Sequence, residues 1–315
     1  MKTYDCEILH RPENDELTFL PEGPVQCGDG RFSWVAIQHG ADNEIGSLNV
    51  FDLSTGQNST YNLTGRPGFA FPTNHDQTFV VGAERSVGLF NIGISSWEEI
   101  CNGVDSDVEN TIINDGVAFD DGLIFGTKDL QFKDKKAGLY LWRKSDRQLV
   151  QLRSDQICSN GKIILGVGDQ RSLLDIDTPT KQVVEYTLTV STGSLSEPRV
   201  VVNLREAEGF PDGMILTPDC TSVIIAFYNP NEAEYGSARQ YSIASGELEA
   251  TWRTAKSPQV TCPLLIEDNG SVKLVLTTAV EHMPAEKQQR YPNAGCLFIG
   301  DTDFNGLQPQ PAFEI

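Results

Sequence analysis

The sequence predicts an all-β protein with the fold of a six-bladed β-propeller, and two observations lead to this prediction. The apolar segments are short, β-branched and aromatic, as in residues 78–83 and 222–228, and few windows keep a helical period. A polar turn bearing Gly or Pro also recurs along the chain, at steps of 46, 46, 46, 52 and 50 residues. A blade of four short strands with its loops needs about 50 residues, so six such units fill the chain. The turn markers are Glu22, Gly68, Asn114, Asn160, Asp212 and Cys262.

The regular period separates a propeller from a β-sandwich, which would explain the strands but not their spacing. One blade cannot bury both of its faces alone, and a ring of blades leaves no free outer edge except where the chain ends meet. We therefore expect a single domain over residues 1–315, in which residues 4–20 complete the last blade, near Phe298.

Charge and cysteine content narrow the classes of partner. The 24 basic and 44 acidic residues give a formal charge of −20. Such a field repels phosphate backbones and anionic head groups, which argues against nucleic acid and membrane as partners and favours cations. Seven scattered cysteines without a CxxC pair are typical of reduced thiols, and the N-terminus has no apolar run of the secretory kind. We expect a cytoplasmic protein that acts on a small molecule, in an oligomeric state that the sequence does not set.

Four of the turn markers carry side-chain oxygen atoms that suit a divalent cation. Each is expected in the loop before the innermost strand of a blade, where these loops converge on the central channel. Carboxylates and amides are the ligands of hard cations, and two carboxylates balance the charge of one doubly charged ion. Any one of these motifs alone is a common turn, so their shared place in the repeat is what marks them. The predicted ligands are Glu22, Asn114, Asn160 and Asp212.

The histidine pattern argues against a different kind of metal site. The four histidines lie at no metal-binding spacing from one another, and no HExxH motif occurs. A tight zinc site of His and Cys is therefore disfavoured. We expect one bound divalent ion, Ca²⁺, Mg²⁺, Mn²⁺ or Zn²⁺, on oxygen ligands.

The same motifs carry a family resemblance. The stretches Glu22-Gly-Pro-Val, Ile113-Asn-Asp-Gly, Ile157-Cys-Ser-Asn-Gly and Pro211-Asp-Gly-Met follow one another over most of the chain. In this order and spacing they resemble the senescence-marker-protein/gluconolactonase family of regucalcin-like proteins, which also includes luciferin-regenerating enzyme. The resemblance implies a six-bladed propeller with a divalent ion in its channel and, in many members, a lactone hydrolase. It implies Glu22, Asn160 and Asp212 as direct ligands, and Asn114 as a ligand or as a water or substrate contact.

The chain departs from that family at two positions. The sugar-lactonase members carry an Arg where this chain has Ile112 and a Glu where it has Gln131, and those side chains bind substrate hydroxyl groups. The chain therefore has the metal ligands that the resemblance implies, but it lacks the two residues that bind the hydroxyl groups of a sugar. We take Ile112, Gln131 and Asn114 as substrate-contact positions, with Arg66 as a further one. Weaker candidates near the mouth are Lys128, Asp129, Glu281 and His282.

The leading hypothesis is a metal-dependent hydrolase of a lactone or similar cyclic ester. The ion would polarise the carbonyl group and Asp212 would accept a proton from the attacking water. No GxSxG motif occurs, so a covalent serine mechanism is disfavoured. Two alternatives stay open: a non-catalytic propeller that binds a metal or ligand, and a hydrolase of a non-sugar substrate such as a phosphotriester.

Overall fold

The computed structural model of the chain describes residues 1–28, 30–307 and 312–315. The chain divides into two compact units: the first consists of Met1–Arg66 and Ala207–Pro311, and the second of Pro67–Glu206 and Ala312–Ile315. Apart from one short α-helix, α1 (Ala285–Arg290), and two 3₁₀ turns, the regular structure of the described residues is β-strand, which confirms the all-β class. No helix in this part of the chain is long and apolar enough to cross a membrane.

The strands are short, and most of them are followed by a turn or loop that contains Gly, Asn or Asp. In chain order they are β1 (Lys2–His10), β2 (Pro21–Gly28), β3 (Arg31–Ala36), β4 (Ser47–Asp52), β5 (Gln57–Asn62), β6 (Pro67–Pro72), β7 (Thr78–Ala83), β8 (Ser86–Asn91), β9 (Ser96–Cys101), β10 (Thr111–Phe119), β11 (Gly122–Asp129), β12 (Ala137–Arg143), β13 (Gln148–Gln156), β14 (Ser159–Leu165), β15 (Gln170–Asp177), β16 (Gln182–Thr189), β17 (Ser194–Leu195), β18 (Arg199–Asn203), β19 (Phe210–Leu216), β20 (Ser222–Tyr228), β21 (Tyr235–Ser242), β22 (Leu248–Ala255), β23 (Val260–Asp268), β24 (Ser271–Thr278) and β25 (Leu297–Asp301).

The first unit contains a four-stranded sheet in the order β2-β3-β4-β5 and an eight-stranded sheet in the order β19-β20-β21-β22-β1-β25-β24-β23. Strand β1 joins the two halves of the larger sheet. Its residues 2–6 pair in parallel with β22, and its residues 7–10 pair antiparallel with β25. Every other pairing in this unit is antiparallel.

The second unit contains two four-stranded sheets, β6-β7-β8-β9 and β10-β11-β12-β13, and a five-stranded sheet. In the last sheet the order is β14-β15-β16, and the outer edge of β16 is shared by β17 and β18. The described residues therefore form five hydrogen-bonded sheets, not the six separate blades predicted. The difference arises at β1, because its two halves bond to different neighbours and merge eight strands into one sheet.

Burial follows the position of a strand in its sheet. The middle strand β20, with the sequence SVIIAFY, is buried at six of its seven positions, as expected for a continuous apolar run covered on both faces. The outer strand β5, with the sequence QNSTYN, has no buried residue. The first unit packs around Trp34 and Trp252, and the second around Phe69 and Phe125, all at most 1% exposed.

A β-bulge recurs near the start of the innermost strand of each four-stranded set. Between two paired positions the inner strand has one residue more than the next strand, so the pairing register shifts there. The shift falls at, or directly beside, each of the six turn markers of the sequence repeat. The shifts lie between Glu22 and Val25, Pro67 and Phe69, Ile113 and Asp115, Asn160 and Lys162, Pro211 and Met214, and Val260 and Pro263.

At two of the bulges a glycine is required because a neighbouring strand comes too close for a side chain. A Cβ atom added to Gly68 would lie 2.5 Å from the carbonyl oxygen of Ile113, on the innermost strand of the next sheet. A Cβ atom added to Gly213 would lie 2.4 Å from Sγ of Cys262 and 2.9 Å from its Cα. Strands β6 and β10 of the second unit, and the two edge strands β19 and β23 of the eight-stranded sheet in the first, therefore approach each other closely at the bulge.

We predict that Gly68→Ala lowers the free energy of unfolding by about 1–3 kcal/mol, the usual cost of overpacking, because the obstructing atom is a backbone carbonyl that cannot rotate away. Urea denaturation measures the change. Gly306→Ala is the matched control, since no atom lies within 4 Å of a Cβ added there. Equal stability of the two variants would show that the strands separate at no cost.

Candidate functional site

The turn-like sequences predicted that the four ligands lie in the loops before the innermost strands. The structure places them inside the strands instead. The bulges explain the difference, because a bulge needs the same Gly, Asn and Asp residues as a turn. Glu22 on β2 and Asp212 on β19 belong to the first unit, and Asn114 on β10 and Asn160 on β14 belong to the second. All four are buried, with exposed fractions of 9%, 7%, 6% and 5%.

In the second unit the structure brings the two amides together. Nδ2 of Asn114 donates to Oδ1 of Asn160 at 3.1 Å and to the carbonyl oxygen of Ser159 at 2.9 Å. Nδ2 of Asn160 donates to Oγ1 of Thr178 at 2.8 Å. Both nitrogen atoms also approach Sγ of Cys158, at 3.7 and 3.5 Å. Both amide nitrogen atoms thus donate to the protein, while Oδ1 of Asn160 accepts one hydrogen bond from Asn114 and keeps a second lone pair for another partner.

The buried Lys162 forms a hydrogen bond with the backbone of the β14 bulge. Nζ of Lys162 donates to the carbonyl oxygen of Asn160 at 2.6 Å and lies 3.9 Å from Oδ2 of Asp115 and 4.0 Å from Oδ1 of Asp175. Gln156 donates to the other oxygen of Asp175 at 2.6 Å. Burial raises the pKa of Asp175 to about 6 and raises that of Asp115, whereas the Lys162 charge lowers both. The cation therefore compensates two carboxylates that burial would otherwise protonate.

We predict that Lys162→Met lowers the free energy of unfolding at neutral pH by about 3–5 kcal/mol, because removal of one partner leaves buried charge uncompensated. Methionine keeps the length of the side chain, so urea denaturation reports mainly the charge. Lys135→Met, at an exposed position, is the control and is expected within about 0.5 kcal/mol of the parent. A loss below about 1 kcal/mol in Lys162→Met would mean that the carboxylates are already neutral.

In the first unit the bulge of β2 holds Glu22. The backbone N–H of Gly23 donates to Oε2 of Glu22 at 3.1 Å, and Gly23 adopts a left-handed φ of +50°. The hydroxyl of Thr261 donates to the carbonyl oxygen of Pro21 at 2.6 Å, which links β2 to β23 directly beside the carboxylate. Glu22 therefore projects from a backbone that is fixed on both sides.

A half-buried tyrosine, Tyr228, lies within electrostatic range of Asp212. Burial raises the pKa of Tyr228, and the negative charges of Glu281 and Asp212 raise it further, so its hydroxyl stays protonated. That hydroxyl donates to the carbonyl oxygen of Glu281 at 2.8 Å and accepts from Gln259 at 2.8 Å. Gln259 also donates to the carbonyl of Glu281 at 2.7 Å. These contacts hold the segment after β24 against the end of β20, the neighbour of the strand that carries Asp212.

The predicted substrate-contact residues differ in accessibility. Ile112 on β10 is 1% exposed and so offers little surface to a ligand. Gln131, after β11, is exposed, and its N–H donates to Oδ1 of Asp129 at 3.2 Å. Arg66 in the first unit is 8% exposed. Lys128 on β11 is half-buried.

The structure shows the contacts of two weaker candidates, Asp129 and His282. Burial alone would raise the pKa of Asp129, but hydrogen bonds from the backbone of Asp134 and Lys133 and from the ammonium group of Lys136 lower it to about 2. This carboxylate therefore closes the turn after β11. His282 is exposed and lies 3.9 Å from the carboxylate of the half-buried Glu281.

The donor atoms fit a hard divalent cation by their chemistry. Two buried carboxylates supply a charge of −2, and two amides with anchored nitrogen atoms supply neutral oxygen ligands. Among the described residues no group of three or more His, Cys, Asp or Glu side chains is arranged to hold a metal. The four predicted ligands include only two residues of these types, Glu22 and Asp212, and the other two are asparagines.

Sequence reasoning missed the residues that support these ligands: Cys158, Thr178, Lys162 and Tyr228. One signal was available for Lys162, which is a charged residue within the apolar run KIIL of β14. Thr178 belongs to a polar turn 18 positions after Asn160, and the sequence does not distinguish it from other turn residues.

Comparisons with known proteins support the resemblance found in the sequence. A family model described as "SMP-30/Gluconolactonase/LRE-like region" matches residues 20–280. The Bacillus subtilis (strain 168) protein YvrE, which is named as a sugar lactone lactonase, is 26% identical over 303 residues, 95% of this chain and 97% of its own.

Two solved structures resemble the chain in fold. One is a calcium-binding protein, regucalcin, from Agrobacterium tumefaciens strain C58, with a TM-score of 0.82 and 19% identity over 100% of both chains. The other is a luciferin-regenerating enzyme, with a TM-score of 0.78 and 20% identity over 95% of this chain and 97% of its own. These likenesses support the predicted β-propeller fold.

Proposed function

Because the chain belongs to the SMP-30/gluconolactonase/LRE-like family, we propose that it hydrolyses a lactone or a similar cyclic ester with the help of one divalent cation. Membership confirms the predicted class, a gluconolactonase-like hydrolase. The observation that carries the proposal is the family match together with the bulges, at which the four oxygen-bearing markers of the repeat are buried.

The proposed cation ligands are Glu22, Asn160 and Asp212, with Asn114 as a fourth. The anchored amides and the net charge of two carboxylates support this assignment. The regucalcin that shares the fold is described as calcium-binding, which supports an oxygen-ligated ion such as Ca²⁺, with Mg²⁺, Mn²⁺ and Zn²⁺ as the other candidates.

The mechanism assigns separate tasks to these side chains. A bound cation would supply Lewis-acid polarisation of the ester carbonyl. Asp212 accepts a proton from the water that attacks the carbonyl carbon, as a carboxylate within hydrogen-bond reach can do. The acyl carbon–oxygen bond of the ring then breaks, the ring oxygen takes a proton, and a hydroxy acid leaves. Burial of the carboxylate and the amides limits competing water at these oxygen atoms.

We predict that Asp212→Asn lowers kcat by about 10²–10⁴, the range for loss of a general base, because the amide keeps the size of the side chain but loses basicity and charge. Turnover of a lactone panel with each cation measures the effect, and circular dichroism checks that the fold is kept. Asp42→Asn, at an exposed loop position, is the control. A near-normal rate with normal cation content in Asp212→Asn would assign the base to another residue.

A second prediction concerns the substrate. The chain lacks the Arg and Glu that bind sugar hydroxyl groups in the sugar-lactonase members, so each substrate hydroxyl that is desolvated without a new partner would cost about 1–3 kcal/mol. We expect a higher kcat/KM for an apolar γ-lactone than for gluconolactone. Because Gln131 is exposed, Gln131→Glu should shift the ratio toward the sugar lactone. A clear preference of the parent for gluconolactone would contradict this assignment, as would an unchanged ratio in the variant.

Cation removal separates this proposal from the non-catalytic alternative, which the missing sugar-reading residues favour. Chelation should abolish turnover of a working hydrolase. A protein that uses the ion only for stability would instead show a large fall in melting temperature and no turnover to lose.

We also propose that the two halves of the eight-stranded sheet act as separate blades. Each half is an antiparallel set of four strands, β19–β22 in one, and β23, β24, β25 and the second part of β1 in the other. On this reading the chain is a six-bladed propeller forming one domain over residues 1–315.

A further inference from the structure

A chain of hydrogen bonds in the second unit fixes the direction of both candidate amide ligands. It runs from the carbonyl oxygen of Ser159 through the side chains of Asn114 and Asn160 to the hydroxyl of Thr178, with distances of 2.9, 3.1 and 2.8 Å. All four residues are at most 6% exposed, so water does not compete for these groups.

The direction of this chain follows from one group that can only accept. A backbone carbonyl has no hydrogen to give, so Asn114 must turn its nitrogen toward Ser159. The second hydrogen of that nitrogen points to the near atom of the Asn160 amide, which must then be oxygen. The nitrogen of Asn160 consequently faces Thr178, and the hydroxyl of Thr178 accepts.

The reverse orientation of Asn160 is unfavourable because of Asn114. A half-turn of the Asn160 amide would place two NH₂ groups against each other at 3.1 Å and leave one buried hydrogen of Asn114 with only the weak acceptor Sγ of Cys158, at 3.7 Å. In the observed orientation Nδ2 of Asn160 has two acceptors for its two hydrogens, Oγ1 of Thr178 and Sγ of Cys158. The sulfur is the weaker acceptor, so Thr178 supplies the main hydrogen bond that holds this nitrogen in place.

We propose that Thr178 is a positioning residue for cation binding, which holds the Asn160 amide so that Oδ1 is available as a ligand. The inference rests on the proposed function, in which Asn160 and Asn114 are cation ligands. It assigns to Thr178 no contact with the ion or the substrate. Groups that orient a metal ligand in this way commonly govern the affinity of the site for its metal.

The test compares Thr178→Val, which keeps the shape but removes the acceptor, with Thr178→Ser, which keeps the acceptor and removes a methyl group. Calorimetric titration of the cation-free, full-length proteins with Ca²⁺ and Mn²⁺ gives Kd, and thermal denaturation without cation gives the stability of each. We expect Kd to rise about 10–100-fold in Thr178→Val and to stay within about threefold of the parent in Thr178→Ser. Thr178→Ala also lacks the acceptor and replaces Thr178→Val if that variant does not fold.

The outcomes separate this inference from the proposed function. If the parent binds no cation, the proposed metal site is wrong and the inference falls with it. If the parent binds and Asp212→Asn weakens binding while Thr178→Val does not, the site stands and the role of Thr178 is refuted. An equal loss of affinity in Thr178→Ser and Thr178→Val would also refute it, because shape rather than the hydroxyl acceptor would then be responsible.

Discussion

The bulge near the start of each innermost strand is the constraint on which the site depends. A regular strand would direct successive side chains to opposite faces of its sheet, into the packed interior on either side. Extra residues at one point break this alternation and re-aim a side chain without ending the strand. Each of Glu22, Asn114, Asn160 and Asp212 stands at such a point. The same bulges bring neighbouring backbones so close that Gly68 and Gly213 have no room for a side chain.

Polar side chains inside strands must be satisfied by the strands around them, and the second unit shows how this is done. Lys162 bonds the bulged carbonyl of Asn160 and lies between Asp115 and Asp175, which belong to two different neighbouring strands. Removing Lys162 would leave both buried carboxylates without a cationic partner. The Lys162 network therefore fixes the backbone of the β14 bulge, whereas Ser159 and Thr178 accept hydrogen bonds from the side chains of Asn114 and Asn160. Different groups therefore hold the backbone at the bulge and the amide side chains.

The existence of the strands and the repeat were readable from the sequence because burial on both faces requires apolar runs and five of the six bulges contain Gly, Asn or Asp. The same chemistry made bulges look like turns, so Asn114 and Asp212 were expected in loops. The sharing of β1 between two sets of strands was not readable, since it depends on a parallel pairing between residues 2–6 and residues 250–254. The partner of Asn160 was also hidden, because only the hairpin of β14 and β15 brings Thr178 beside it.

In the proposed cation site, the use of amides as ligands has a consequence for the groups around them. A carboxylate presents two equivalent oxygen atoms, so a half-turn of Glu22 or Asp212 changes nothing for a cation. An amide presents one oxygen and one nitrogen that repels a cation, so a half-turn of Asn160 removes a ligand. Four carboxylates would avoid this difficulty but would bring a charge of −4 to a buried site, which one doubly charged ion would not balance. Two amides lower the charge to −2 and in return require a fixed orientation. A hydrogen-bond chain that begins at a group able only to accept, the carbonyl of Ser159, meets that requirement for Asn114 and Asn160 together.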